Sequence, residues 1–185
     1  MLNAPISSSR RWLTRAVALL AIVSLLFAAS AWWRAAAPST IVVVVRHADK
    51  ARDGTVDPPL SPTGVERAER LAGILGNGTP YRVDAIFVSQ YRRSVETAEP
   101  LAAASGIPII RVWADDVSGL AYRIRRDYKG KRVLVVAHSD TIPQIVDRLG
   151  GVEDVPLIEP LEYGTTYVVA MPVFGRATVM RLMLP

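Results

Sequence analysis

The chain has two histidines among its 185 residues, and each stands just past an apolar, β-branched run. His47 follows Ile41-Val42-Val43-Val44-Val45-Arg46, and His138 follows Val133-Leu134-Val135-Val136-Ala137. Such runs read as strands buried on both faces, as in the centre of a parallel sheet. Taken alone, either run is equally well a strand that simply emerges into a polar loop. Together they say more. If both strands are central and parallel, both imidazoles and Arg46 leave the sheet at its carboxyl edge, where open α/β folds place their ligands. Ser89 ends a further short strand. Arg93, four residues on, falls in the first turn of the next helix at that same edge. The expected pocket holds two imidazoles and two guanidiniums.

That set suits phosphoryl chemistry. Guanidiniums bind phosphate oxygens bidentately, and a helix N-terminus adds attraction for an anion. An imidazole in line with phosphorus can attack it and carry the phosphoryl group. A second imidazole can donate to the equatorial oxygens as charge builds. The arginines do the neutralising, so the arrangement needs neither a metal nor another cofactor. Two histidines without a third ligand at a recognisable spacing make a poor metal site. With no cysteine there is no thiolate site, cysteine nucleophile or disulfide.

The elements that must carry these groups alternate. Strands are expected over 41–45, 84–88, 107–112 and 133–137, with 165–170 and 177–182 closing the chain as an antiparallel pair. Helices are expected from Ser61-Pro62 to about Leu75, from Ser89 as N-cap to about Ala104, over 116–128, and over 143–149. Val152–Tyr163 reads as a loop. This alternation implies an α/β three-layer sandwich with a mostly parallel sheet flanked by helices. Arg92 and Glu96 form an i,i+4 surface pair, with Arg92 about 100° around the helix from Arg93. Asp115 or Asp116 suits a helix start, and Asp140 reads as an N-cap. Trp113 and the tyrosines read as core or rim, and Asp49 and Lys50 as loop charges that could line the mouth.

The N-terminus is of another kind. Arg10, Arg11 and Arg15 precede an uncharged run from Ala16 to Trp33, and Arg34 follows it. Roughly 18 residues are just enough to cross a bilayer core, and Trp32-Trp33 resemble an interfacial belt. The organisation expected is a basic cytoplasmic segment at 1–15, a transmembrane anchor or signal segment at 16–33, a linker at 34–40 and a catalytic domain at 41–185. The positive-inside rule puts that domain on the extracytoplasmic, periplasmic side. Cleavage after small residues such as Ala29-Ser30-Ala31 would instead release it, and Ser9-Arg10-Arg11 loosely matches a twin-arginine signal. A buried core helix is the third reading. Four of the 22 basic residues lie before Pro38, leaving 18 against 17 acids. The folded part is nearly neutral overall and gives no case for nucleic-acid binding.

The motifs also carry a family resemblance. Arg46-His47-Ala48 resembles the Arg-His-Gly signature of the histidine phosphatase (phosphoglycerate mutase-like) superfamily. Leu60-Ser61-Pro62-Thr63-Gly64 resembles its leucine-Ser/Thr-x-x-glycine stretch. Ser89 through Arg93 to Thr97-Ala98 resembles its serine–arginine–threonine-alanine motif, with Gln90-Tyr91 in place of proline-leucine. Val135-Val136-Ala137-His138-Ser139 resembles its second-histidine motif. The four stand in order across residues 41–150. The resemblance implies that His47 accepts the phosphoryl group, that Arg46 and Arg93 clamp phosphate, and that His138 is a further phosphate ligand. The short domain looks like the small phosphohistidine-phosphatase type, whose open site suits a phosphorylated small molecule, glycan or protein. Ala48 departs from glycine, and the leaving-group acid stays open among Asp115, Asp116 and Asp140.

The expectation is a membrane-anchored phosphatase that cleaves a phosphomonoester or phosphoramidate through phosphohistidine. The alternative is a catalytically weak module that binds phosphorylated ligands. A mutase is disfavoured, because the chain is too short for a large water-excluding lid. A serine hydrolase is disfavoured because there is no Gly-x-Ser-x-Gly elbow.

Overall fold

A computed structural model describes residues 8–36, 38–152, 155–159 and 162–184. The chain divides into two compact units, residues 1–37 and 38–185. In the first, one helix, α1 (Ser8–Ala36), runs for 29 residues. Its Arg15–Trp32 stretch is long and apolar enough to cross a membrane, and none of it is buried. A membrane span and a signal sequence both fit that profile.

The second unit is an α/β sandwich. In chain order it comprises β1 (Thr40–Arg46), α2 (Pro62–Leu75), β2 (Ala85–Ser89), α3 (Arg92–Ser105), β3 (Ile109–Val112), α4 (Val117–Asp127), β4 (Arg132–Ala137), α5 (Ile142–Gly150), β5 (Thr165–Met171) and β6 (Thr178–Met183). The sheet order is β3-β2-β4-β1-β5-β6. The pairs β3–β2, β2–β4 and β4–β1 are parallel, and β5 and β6 add the expected antiparallel pair.

Alternation along β1 explains the three layers. Val42 and Val44 pack with Leu120 and Ile124 of α4 and Ile145 and Leu149 of α5. Val45 points the other way, into a layer with Leu71 and Leu75 of α2 and Val95 and Leu101 of α3. A strand apolar at every position is therefore sandwiched, not half-solvated.

Local signals account for most boundaries. Ser61 caps α2 by accepting from Gly64 N at 3.1 Å, with proline in the first turn. Asp116 caps α4 by accepting from Gly119 N at 2.9 Å. Two expected caps are corrected. Ser89 does not cap α3, which starts after Tyr91 with no side-chain cap bond. Asp140 does not cap α5 either, because Thr141 takes that position, again without a side-chain bond.

Candidate active site

The sheet register builds the site. Arg46 pairs with Ala137, and His47 N donates to Ala137 O at 3.0 Å. The next residues along the two parallel strands, His47 and His138, are therefore side by side. Their ring centroids are 5.2 Å apart, and both residues are buried.

Each imidazole is oriented by a different partner. His47 Nδ1 lies 2.8 Å from the Ala48 carbonyl, an acceptor only, so Nδ1 carries the proton and Nε2 keeps its lone pair. His138 Nε2 lies 2.7 Å from Ser89 Oγ, which donates onward to Ser94 Oγ at 2.7 Å. Ser89 thus serves the second histidine, not the helix. Burial pushes the His47 imidazole down to about 3 and His138 down to about 4. Arg93 and Arg46 contribute to both of these shifts, as cations facing a shared pocket must.

The guanidiniums complete the pocket. Arg46 is buried, and its Nη1 donates to the carbonyls of Glu159 at 2.9 Å and Glu162 at 3.3 Å. Its planar group lies 4.3 Å from the Tyr163 ring centroid. Arg93 lies 4.4 Å from the Tyr91 ring centroid, and its Nη1 meets Asp57 Oδ1 at 3.3 Å. The Nε–H groups of both arginines are buried without a hydrogen-bond partner among the described residues. A buried donor left unmet is costly, and here two are held beside two imidazoles. Buried guanidinium donors of this kind suit an oxyanion.

The flanking motifs brace this set. Thr97 Oγ1 donates to Arg93 O at 2.7 Å and accepts from Ala48 N at 2.9 Å, which ties α3 to the residue after the nucleophile candidate. Ala48 is fully buried in a small cluster with Leu60 and Ala68, so its methyl is packed away as core. Gly64 explains the Leu60–Gly64 stretch. A Cβ there would sit 2.1 Å from the Asp49 carbonyl, which also accepts from Ser61 N at 2.8 Å. Asp49 is further held by Arg67 at 2.9 Å.

The structure thus brings His47, His138, Arg46 and Arg93 together. Arg92 is exposed and bound to Glu96 at 2.6 Å. Of the acid candidates, Asp116 is committed to capping α4. Asp140 acts on His138 electrostatically, and so does Asp57. Asp57 was missed in the sequence, although Asp57-Pro58-Pro59 marks a loop that returns to the site. Both its oxygens lie 3.0 Å from Arg92 N. Tyr91 meets His138 edge-on at 5.2 Å, and Tyr163 is 6.1 Å from His47, so these two tyrosines form the rim. Gln90, at the motif's proline position, accepts from Ala114 N at 2.9 Å. Among the described residues, no group of three or more histidine and carboxylate side chains could hold a metal ion.

Comparison with known proteins agrees with the fold. Residues 42–114 match the family model of the histidine phosphatase superfamily (branch 1). No curated protein matches the sequence. The protein histidine phosphatase SixA complexed with tungstate is 22% identical, with a TM-score of 0.62 over 77% of this chain and 96% of that one. A mycobacterial glucosyl-3-phosphoglycerate phosphatase is 14% identical, with a TM-score of 0.60 over 80% of this chain and 100% of the other. The same mycobacterial protein with inorganic phosphate aligns at 16% identity and a TM-score of 0.57, over 78% and 96% of the two chains. The resemblance read from the sequence therefore holds at the level of the superfamily: the chain matches the histidine phosphatases over residues 42–114 and carries their fold.

Proposed function

We propose that this chain is a membrane-anchored phosphatase, with His47 as nucleophile and Arg46, Arg93 and His138 as phosphate ligands. The observation that carries the reading is the pair of unpartnered, buried guanidinium Nε–H groups beside two neutral imidazoles. Fold relatives that hold tungstate or inorganic phosphate support it.

The substrate is a phosphomonoester or a phosphoramidate. Its phosphoryl group sits between the guanidiniums, which neutralise the equatorial oxygens. His47 Nε2 attacks phosphorus, and the bond from phosphorus to the leaving oxygen or nitrogen breaks. The leaving atom takes a proton from a carboxylic acid. Asp140 is assigned that role, since it acts on His138 and leaves the capping of α5 to Thr141. Water then attacks the phosphohistidine, releasing inorganic phosphate and restoring His47. The arginines supply the charge neutralisation that a metal supplies elsewhere.

On this reading α1 is the anchor, residues 1–15 are cytoplasmic, and the 41–185 domain lies on the extracytoplasmic side. The test is to offer the full chain an aryl phosphate in chelator, quench rapidly and look for an acid-labile, base-stable phosphoryl group on His47. Its appearance together with turnover supports the enzyme. Tight phosphate binding with neither, across several substrates, would replace it with the phospho-ligand-binding module.

A further inference from the structure

Residues two apart on a helix do not face each other. Tyr91 and Arg93 nevertheless do: the Arg93 guanidinium carbon lies 4.4 Å from the Tyr91 ring centroid. The contact is possible because Tyr91 stands just outside α3, at its N-cap, in extended backbone with φ −71° and ψ 144°. Its carbonyl accepts from Ser94 N at 3.1 Å and from Val95 N at 3.2 Å, which ties the residue to the first turn. Tyrosine is a poor capping residue, since it has no short side-chain acceptor. Asp57 supplies an acceptor from another loop, with its two carboxylate oxygens each 3.0 Å from Arg92 N. Position 91 is thus released from capping, and its ring lies against pocket groups instead. Besides Arg93 it meets His138, edge to face, at 5.2 Å and 88°.

We infer that Tyr91 is a positioning residue, which holds Arg93 above all, and His138 beside it, in the orientation that a phosphoryl group needs. The inference rests on reading those two residues as phosphate ligands. Arg93 needs such a support. Among the described residues its guanidinium makes one hydrogen bond, from Nη1 to Asp57 Oδ1 at 3.3 Å, and its Nε–H makes none. One long bond to a half-exposed carboxylate fixes neither the plane nor the tilt of a flat group with several donors. A π face against the guanidinium fixes its plane, attracts the cation and leaves the N–H edge free to bind. At His138 the Ser89 bond of 2.7 Å holds one ring nitrogen, and the perpendicular tyrosine limits rotation about that bond. The other half of the site repeats the construction. Arg46 lies 4.3 Å from the Tyr163 ring centroid, and that ring is 6.1 Å from His47. A leucine at position 91, as in the motif that this stretch resembles, would fill similar space with no π face.

The test compares Tyr91→Leu with Tyr91→Phe in the full chain in detergent micelles. It reads inorganic phosphate affinity by calorimetry and kcat/KM on an aryl phosphate. Tyr91→Leu should weaken phosphate about 3–30-fold and lower kcat/KM by a similar factor. Tyr91→Phe, which keeps the ring, should restore both. On an Arg93→Ala background, Tyr91→Leu should cost no more than about 2-fold in kcat/KM, because the ring acts chiefly through that guanidinium. Urea midpoints separate positioning from folding. Should Tyr91→Leu lose the fold, Tyr91→Met, a flexible side chain without a ring, is read in its place. Native affinity in the Leu chain overturns the inference. So does an equal loss in the Leu and Phe chains, which would point to the hydroxyl. A loss that persists in full without Arg93 overturns it as well, since the ring would then be packing alone. In each of these cases the native chain still binds phosphate, so the reading of the site stands. A native chain that neither binds nor turns over phosphate overturns both.

Discussion

His47 Nδ1 and the carbonyl oxygen of Ala48 lie 2.8 Å apart, and this contact decides which ring nitrogen keeps its lone pair. A carbonyl can only accept, so the ring's proton is at Nδ1 and its lone pair at Nε2. The phosphoryl group is therefore expected on Nε2. Two-dimensional ¹H–³¹P NMR of the trapped chain separates the two isomers, and a phosphoryl group on Nδ1 would refute the assignment. His47→Ala should cost about 10³-fold or more in turnover, whereas His138→Ala and Arg93→Ala should cost about 10–10³-fold each. A fully active His47→Ala chain would end the mechanism.

The two imidazoles also make the fold sensitive to acid. Burial holds them at about 3 and about 4, whereas an unfolded imidazole titrates near about 6.5. As pH falls below about 6.5, the unfolded chain takes up two protons that the fold refuses, so stability drops until about pH 3. The slope approaches about 2.7 kcal/mol per pH unit at its steepest. Urea midpoints across this range should fall more steeply for the native chain than for His47→Gln/His138→Gln. Equal slopes would show that neither imidazole is held neutral.

Asp57 faces Arg93 at 3.3 Å, beside the proposed phosphate site. Asp57→Asn keeps an acceptor for Arg92 N–H and removes the negative charge. Inorganic phosphate should then bind about 3–10-fold tighter by calorimetry. Weaker binding would instead make Asp57 the residue that aims Arg93.

The acid can be read from leaving groups. If Asp140 donates the proton, Asp140→Asn should slow an alkyl phosphate by about 10²-fold or more, and p-nitrophenyl phosphate, whose leaving group departs unprotonated, far less. Equal losses on both substrates would remove Asp140 from that role.

Gly64→Ala sets a methyl 2.1 Å from the backbone oxygen of Asp49. Neither partner is a flexible side-chain end, so α2 or the loop after His47 must move. A loss of about 2 kcal/mol or more is expected in urea unfolding, with lower turnover because that loop follows His47, the proposed nucleophile. An unchanged midpoint would mean the loop yields freely.

What could be read from the chain alone follows from where its signals are local. Continuous β-branched runs marked β1 and β4, and Ser61-Pro62 and Asp116 marked helix starts, because each signal lies within one turn of what it specifies. Ser89 and Asp140 misled for the same reason. Residues that favour caps were instead a partner of His138, 49 positions away, and a carboxylate whose charge acts on the pocket. Tyr163 and the carbonyls of Glu159 and Glu162 stayed hidden because their segment has no periodicity. It reaches Arg46 across 113 and 116 positions.

The strand order β3-β2-β4-β1-β5-β6 bears on how the protein is made. β1 is the first strand to be synthesised, yet its neighbours β4 and β5 begin only at Arg132 and Thr165. Until those segments exist, Ile41–Arg46 has no sheet to join, and pairings of such long range form slowly. β1 therefore stays unpaired while most of the chain is still being translated. If the first helix carries the domain across a membrane, as proposed, that delay keeps the chain loose enough to be threaded through a channel.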